Sequence, residues 1–270
     1  HWQEVADYMQ PRKADVTKTR SKGDKRTEQI FDSSPIQAVE LLAASLHGML
    51  TNPSTPWFSL RYKDEGLDSD DEAKLWLEGV TDTMYTAFNR SNFQQEIFEL
   101  YHDLITFGTA AMFIEEDQSD LLKFSTRHIN EIYITENDKG RIDTVYRKFK
   151  ITLRAAAQQF GGGLSEEAKR RVDKDPFDEI DILHAVYPRQ DFNPAKKDKQ
   201  NMEFESVYVE YKNGNELSVG GFVEFPFVVP RYLKASHEIY GRSPAMTALP
   251  DVKMLNEMSK TTIKAAQKQV

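Results

Sequence analysis

Three lysines near the end of the chain stand at a spacing that could serve phosphate binding. Lys260, Lys264 and Lys268 recur every four residues, so on a helix their ammonium groups lie along one face. Such a row could meet the phosphates of a nucleic acid in a salt-sensitive and sequence-independent way. The same row suits a solvated helix end, because the helix dipole favours cations near its C-terminus. The spacing alone favours the solvated face and leaves phosphate contact as a hypothesis.

The other residues that could do chemistry form no catalytic or metal-binding motif. The six histidines lack H-x-x-x-H and H-E-x-x-H spacing, and there is no cysteine to complete a zinc site. Neither a G-x-x-x-x-G-K-[ST] loop, nor G-x-G-x-x-G after a strand, nor a G-x-S-x-G elbow occurs. The acidic run from Asp68 to Glu72 lacks the spacing of a calcium loop and favours a helix cap. We therefore expect no catalytic residue, no metal and no cofactor. A monomeric soluble enzyme with a site dispersed over the β-rich region stays as the alternative.

Composition narrows the class of protein further. The chain has 270 residues, of which 39% are hydrophobic and 29% charged, with a formal net charge of −8. These values are ordinary for a globular protein with a sizeable core, and the acidity argues against tight non-specific binding to nucleic acid. The lack of cysteine fits a reducing compartment. No apolar run approaches the roughly 18 residues that span a bilayer, so we expect no membrane partner. The chain begins at His1 without a signal peptide, and we expect both ends to be truncated.

Helical periodicity dominates the first part of the chain. A short helical stretch precedes residues 11–29, which are polar and basic. We interpret them as an extended or mobile arm, for which a solvated linker is a simpler role than contact with nucleic acid. Ser33 or Ser34 then caps a helix with Pro35 at its first position, and Asn52-Pro53 ends it.

A longer helical region follows and ends at Gly108. Asp68, Ser69 and Asp70 cap it, and a bend is predicted near residues 89–92. Its predicted buried stripe consists of Leu75, Val80, Met84, Phe88, Ile97, Leu100, Leu104 and Phe107.

After Gly108 the hydrophobic period changes from helical to alternating. "AAMFIEE" predicts a first strand, and "NDKG" predicts a hairpin turn between two further strands. Two short helices flank Gly161–Gly163, and antiparallel strands with Asn-Gly turns follow. Together these segments predict an α+β fold, with helices first, an antiparallel β meander next and one long helix last.

The last helix begins at Ser243-Pro244 and carries a narrow apolar stripe near the coiled-coil spacing. Such a stripe buries one side and leaves the rest exposed unless other helices pack beside it. The stripe comprises Ala245, Leu249, Val252, Leu255, Met258, Ile263, Ala266 and Val270. From it we take Leu249, Val252, Leu255 and Ile263 as candidate subunit-interface residues.

Trp57 and Phe58 are two further interface candidates, because large exposed aromatic side chains mark contact surfaces. The alternative is that both lie in the subunit's own core. The sequence does not decide between these two interpretations.

Several segments resemble the head-to-tail connector (portal) family of short-tailed, T7-like bacteriophages. They are "SPIQAVELLAASLHGMLTNPSTPWFSL", "FELYHDLITFGTAAMFIEE", "HAVYPRQ" and "GGFVEFPFVVPRYLKASHEIYGRSPAMTALPDVKMLNEMSKTTIKAAQKQV". The resemblance extends from about Trp2 to the last residue, and the final segment is the most specific part of it.

The resemblance implies a portal-type architecture in a ring-forming subunit. Residues 1–34 would be an N-terminal helix and basic arm. Residues 35–242 would form the wing, helical over about 35–108 and β-rich over about 109–242. Residues 243–270 would be the first stem helix. The clip, second stem helix and crown of the family have no counterpart in this chain.

The resemblance also implies a non-enzymatic function in the virion. Portals of this family form a dodecameric ring at one capsid vertex, through which double-stranded DNA is packaged and ejected. The implied partners are further copies of the chain, the major capsid protein, the terminase during packaging, and the tail adaptor and tail proteins. Assembly would take place in the host cytoplasm, and Lys260, Lys264 and Lys268 become candidates for residues that line the DNA channel.

Overall fold

A computed structural model of the chain describes residues 1–18, 20–21, 23–63, 70–196 and 198–269. The chain divides into two compact units. Unit 1 comprises His1–Asn130 and Val228–Val270, and unit 2 comprises Glu131–Phe227.

The described residues form helices and antiparallel strands. The helices are α1 (Trp2–Met9), α2 (Ser34–Leu50), α3 (Asp71–Arg90), α4 (Phe93–Phe107), α5 (Leu153–Phe160), α6 (Glu166–Lys174) and α7 (Pro244–Lys268). The strands are β1 (Ala111–Asp117), β2 (Leu121–Arg127), β3 (Ile132–Glu136), β4 (Ile142–Thr152), β5 (Glu179–Pro188), β6 (Phe204–Glu210), β7 (Glu216–Phe222) and β8 (Phe227–Val228). This mixture of helix and antiparallel sheet confirms the α+β class.

Helix α4 lies at the centre of unit 1, where it packs against α1, α2 and α7. Most of its apolar residues are buried and recur at helical spacing, such as Leu100 at 3% exposure and Ile105 at 1%. They belong to one core cluster with Val39 of α2 and with Leu249 of α7. Burial of large aliphatic side chains of this kind contributes about 1.5–3 kcal/mol each. Helix α4 thus fixes the helices on either side of it.

A three-stranded sheet in the order β2–β1–β8 completes unit 1, and β8 lies where the chain returns to this unit. Strands β1 and β2 form an antiparallel hairpin in which Ile114 faces Phe124. The amide of Asn92, at the start of α4, bonds to both backbone groups of Phe124. One side chain therefore joins the start of α4 to the neighbouring sheet.

Unit 2 contains a five-stranded antiparallel sheet in the order β3–β4–β5–β6–β7. Helices α5 and α6 cover one face, where Leu153 and Ala168 share a core cluster with Ile182 of β5. The carboxylate of Glu210, which is 2% exposed, accepts hydrogen bonds from the backbone and hydroxyl of Ser165, the N-cap of α6. A buried carboxylate is tolerated here because these donors satisfy it.

Several element boundaries predicted from the sequence are confirmed. Ser33 is the N-cap of α2 and Ser243 the N-cap of α7. The predicted bend near residues 89–92 is the break between α3 and α4, and Gly108 ends α4 in a left-handed conformation. Asp70 caps α3 by accepting a hydrogen bond from the Glu72 backbone. Asp68 and Ser69 lie outside the described residues.

The predicted buried stripe is wrong for α3. No residue of this helix is fully buried, and Leu75 is 70% exposed. Helix α3 rests on the rest of unit 1 mainly through Tyr85 and Phe88, which belong to an aromatic cluster. The periodicity gave the correct helix, but neighbouring elements cover only part of its circumference.

The interpretation of residues 11–29 as a solvated arm is wrong for residues 11–16, most of which are buried or half-buried, whereas most of the described residues from 17 to 29 are exposed. The ammonium group of Lys13 contacts both carboxylate oxygens of Asp103, at 2.8 and 2.7 Å, and the carboxylate of Glu99 at 2.6 Å. The side-chain oxygen of Gln3 accepts hydrogen bonds from backbone amides of residues 16–18. Basic residues that suggested solvent or nucleic acid are thus paired with acids of the same chain.

Candidate functional site

The first turn of α7 is held by a close crossing of two backbone segments. A Cβ atom on Gly241 would overlap the carbonyl oxygen of Gly108, and one on Gly108 would overlap Gly241. The Gly241 amide donates to the hydroxyl of Thr109 at 2.7 Å. The Ser243 hydroxyl accepts from the Met246 amide and donates to the Thr106 carbonyl. The start of α7 is therefore tied to the end of α4.

The proximal part of α7 belongs to the core of unit 1. Leu249 is 4% exposed and Val252 is 8% exposed, and both pack in the same cluster as residues of α4. Asn256, 3% exposed, is the next buried residue on this face. Two of the candidate interface residues, Leu249 and Val252, are thus already covered by their own chain.

The distal part of α7 carries apolar residues that nothing in the described chain covers. Leu255 and Ile263 are each 45% exposed, and Met254 and Met258 are 56% and 58% exposed. At 100° per residue, Met254 and Met258 point away from the face that holds Leu249 and Val252, Leu255 lies at the edge of that face, and Ile263 continues it beyond Asn256. A helix with apolar residues on two sides normally packs against a second partner. These exposed apolar side chains, Met254, Leu255, Met258 and Ile263, are together called the distal apolar surface below.

The lysine row lies on a third side of the same helix. Lys260 donates to Glu257 at 2.9 Å, one turn earlier, and its ammonium group lies 5.7 Å from the centre of the Phe31 ring. Lys264 and Lys268 are exposed. Helical spacing sets Lys268 about 40° from Met254 and Lys264 about 180° from Leu255. Contact through the Leu255 side of the helix would therefore leave the outer lysines accessible.

Trp57 and Phe58 lie in an aromatic cluster of their own subunit. The Trp57 ring stacks on Phe93 at 5.8 Å with an interplanar angle of 8°, and the Phe58 ring stacks on Tyr85 at 4.4 Å. The Tyr85 hydroxyl accepts hydrogen bonds from both backbone amides and donates to the Phe58 carbonyl. Both aromatic side chains are half-buried, so their remaining surface is the part available to a neighbour.

Sequence reasoning missed two buried polar residues of unit 1 and one exposed surface. Asp103 and Asn256 occupy helix positions whose spacing predicts a buried face, and a polar residue there is the signal that could have found them. Helix α2 exposes Leu41 at 71% and Met49 at 82%. The sequence signal for this exposed surface is a predicted helix of 17 residues with almost no charged residue. Helices that are apolar all round are normally covered.

Nothing in the described residues points to catalysis. No group of three or more His, Asp or Glu side chains is arranged to hold a metal ion within these ranges. Burial lowers the pKa of His102, and burial raises the pKa of Tyr101 against a hydrogen bond with Thr51, as expected for partly buried groups. A cavity of about 490 Å³ is lined by Trp2, Tyr240 and Arg242 among others. The rings of Trp2 and Tyr240 meet edge to face at 5.0 Å there, as in ordinary packing.

A family model described as bacteriophage head to tail connecting protein matches residues 1–270. The chain therefore belongs to the family of bacteriophage head-to-tail connecting proteins, and the resemblance seen in the sequence is confirmed. Curated relatives include a probable portal protein of Bordetella phage BPP-1, 33% identical over 260 residues. A portal protein of Salmonella phage epsilon15 is 31% identical over 261 residues. Each alignment covers 94% of this chain and 47% of the relative, so the chain spans about half the length of these proteins.

The comparisons bear on the expectation of a non-enzymatic role, and the structure bears on the expectation that no segment spans a membrane. Membership of a connector family supports a structural role and gives no support to the alternative of a monomeric enzyme. Among the described residues, no helix is both long enough and apolar enough to cross a bilayer.

Proposed function

We propose that the chain is the wing and first stem helix of a phage portal subunit. Residues 35–242 form the wing in this proposal, and residues 243–270 form the first stem helix. The family match over the whole chain supports the class. The single observation that carries the architectural part is α7, a 25-residue helix rooted in the core of unit 1 with an uncovered distal apolar surface.

The subunits assemble into a ring in which α7 of one copy packs against neighbouring copies. Helices whose exposed apolar residues are not covered by their own chain need a second partner, and a closed ring supplies one to every copy. Leu255 and Ile263 contribute to this contact. The exposed parts of Trp57 and Phe58 add to it at the wing. Portals of this family are dodecamers, and we propose the same number here.

The ring encloses a channel for double-stranded DNA at one vertex of the capsid. Lys260, Lys264 and Lys268 face the channel as bands of positive charge in an otherwise acidic passage. Because each chain has a formal net charge of −8, tight non-specific binding of the DNA in the passage is disfavoured. Each channel lysine near a phosphate releases about one counterion, so the contact is weak, salt-dependent and blind to sequence.

The ring belongs to the virion and is assembled in the host cytoplasm. Its partners are the major capsid protein, the terminase during packaging, and the tail adaptor and tail proteins. The subunit has a structural role and carries no catalytic site. Purified protein should accordingly show no ATP turnover above buffer. Turnover that disappears when one of its own acidic residues is replaced would contradict this role.

Negative-stain imaging of the purified chain tests the ring. The expected result is annular particles with a central opening and a high rotational symmetry. Particles of monomer size at every concentration would contradict the proposal.

A further inference from the structure

Helix α7 has a polar residue at the last position of its buried face. The face consists of Ala245, Leu249 and Val252, each at most 8% exposed, followed by Asn256 at 3%. Every described residue of α7 beyond Asn256 is exposed or half-buried. The helix therefore leaves the body of unit 1 immediately after a buried amide, where the spacing predicts an aliphatic side chain.

The Asn256 amide uses both of its ends on one backbone segment. Its oxygen accepts hydrogen bonds from the amides of Phe31 at 2.7 Å and Asp32 at 3.3 Å. Its nitrogen donates to the carbonyl of Gln29 at 2.9 Å. A buried side chain that satisfies three backbone groups is costly to replace by an apolar one, because those groups lose their partner. The contact formed by residues 29–32 with Asn256 is called the clasp below.

The clasp joins α7 to the first turn of α2. The Asp32 carboxylate accepts hydrogen bonds from the backbone and hydroxyl of Ser34, at 3.0 and 2.7 Å. Asn256, Asp32 and Ser34 thus form a continuous hydrogen-bonded path from one helix to the other. Two further contacts flank it, because Lys253 pairs with Glu4 of α1 and Lys260 lies over the Phe31 ring. The N-terminal segment therefore holds α7 on both sides of Asn256.

We propose that the clasp sets the direction in which the distal half of α7 leaves the body, with Asn256 as its positioning residue. The proximal half is fixed by core packing and by the crossing at Gly241. Beyond the clasp, the distal half keeps the contact of Lys260 with the Phe31 ring, and its residues from 261 to 269 are exposed. A movement of the N-terminal segment or of α2 is transmitted to the distal half through this joint. The inference rests on the proposed function only in calling this half a stem, since the joint itself is a property of one copy.

Distance measurements between two spin labels test the clasp in the full chain. The chain contains no cysteine, so Gln37→Cys on α2 and Thr261→Cys on distal α7 place labels at exposed sites without background. Labelled chains are diluted into unlabelled ones, so that only distances within one copy are measured. The expected result is one narrow distance distribution. Asn256→Leu is expected to broaden and shift it, whereas Asp251→Asn, an exposed site on the opposite side of α7, leaves it unchanged.

Hydrogen exchange separates the clasp from a general loss of structure. In Asn256→Leu, amides of residues 31–32 and 257–266 should lose protection together, while amides of α4 and β1 keep theirs. Asn256→Asp keeps the acceptor for Phe31 and Asp32 but loses the donor to Gln29, and it should give an intermediate effect. This variant also serves if Asn256→Leu fails to fold.

Three outcomes would overturn the inference. One is an unshifted narrow distribution in the folded variants. A second is loss of protection at residues 31–32 alone. A third is a uniform loss of amide protection across unit 1. Failure of the chain to form rings would instead count against the proposed function. It would not change the distances between the two labels, because these are measured within one copy.

Discussion

Replacing Lys13 by Met removes the only cation that contacts the buried carboxylate of Asp103 in the described part of the chain. The Asp103 side chain is 1% exposed and the Lys13 side chain 17% exposed. After the substitution, Asp103 keeps only a long hydrogen bond of 3.4 Å from Gln10. Breaking a buried ion pair from one side costs about 3–5 kcal/mol. At about 2–4 °C per kcal/mol for a domain of this size, Lys13→Met should lower the Tm of unit 1 by at least ~6 °C at pH 7.

The loss should shrink as the pH falls. Burial raises the pKa of Asp103, and Lys13 acts against that rise in the natural chain, so removing Lys13 raises the pKa further. A folded carboxyl with a raised pKa holds a proton that the unfolded chain has already released. Lowering the pH from 7 towards the ordinary carboxyl value near 3.8 therefore favours the folded variant and recovers part of the loss.

Thermal unfolding of four chains at pH 7 and pH 5 checks this reasoning. Lys123→Met is the matched control, because Lys123 makes a 2.8 Å pair with Glu115 at a side chain that is 55% exposed. Its cost should stay below about 1 kcal/mol. Lys13→Met with Asp103→Leu removes both charges and should recover most of the stability. A Lys13→Met variant no less stable than Lys123→Met, or a double variant as unstable as Lys13→Met, would refute the reasoning.

Four other predictions concern the remaining features. In the natural chain, burial alone would lower the pKa of Lys13, but the charges and hydrogen bonds of Asp103 and Glu99 outweigh it and hold that pKa above its ordinary value. The stability that this pair contributes should therefore be complete below about pH 10.5 and be lost as the pH rises through the folded pKa, which unfolding curves at alkaline pH would measure. Trp57→Ala removes the stack on Phe93 and should lower the stability before it disturbs ring formation, by less than the about 3–5 kcal/mol of a fully buried tryptophan because Trp57 is half-buried. A stably folded monomer in calorimetry and sizing would instead favour a role at the interface. Leu255→Glu with Ile263→Glu should abolish assembly, as measured by light scattering. The unfolding free energy of the monomer should change by less than about 0.5 kcal/mol per site. Intact rings would argue against a role of the distal apolar surface in assembly. Replacing Lys260, Lys264 and Lys268 by Gln should leave rings intact and reduce the salt dependence of DNA binding by about 0.9 per lost phosphate contact; loss of rings with no change in DNA retention would assign the lysines to a subunit contact.

The sequence predicted the helices of this fold better than their surroundings. Ser243-Pro244 and Gly108 mark helix ends because capping and left-handed backbone are local requirements. Burial is not local, and so the apolar period of α3 predicts a buried stripe although its neighbours cover only part of it. The composition of residues 11–29 predicts a solvated arm because the partner of Lys13, Asp103, lies about ninety residues away. Pairings at such separations leave no signal in a short window of sequence.

In the candidate site, too, the local helical structure could be predicted from the sequence and the burial of its residues could not. The spacing of the lysines and of the apolar stripe placed them on one long helix, as found up to Lys268, while Val270 lies outside the described residues. It did not separate Leu249 and Val252, which their own chain buries, from Leu255 and Ile263, which stay exposed. That division depends on where α7 leaves the body, and Asn256 marks the point. A polar residue in an apolar period was the available signal.

Native mass spectrometry of the assembled protein tests the central claim, that this chain is a ring-forming portal subunit, most directly. The account predicts one dominant species whose mass is a fixed multiple of 31.1 kDa, twelve-fold if this ring follows its family. The species should disappear in Leu255→Glu with Ile263→Glu and persist when the three lysines are replaced by Gln. A folded chain that stays at 31.1 kDa across all concentrations would contradict the account.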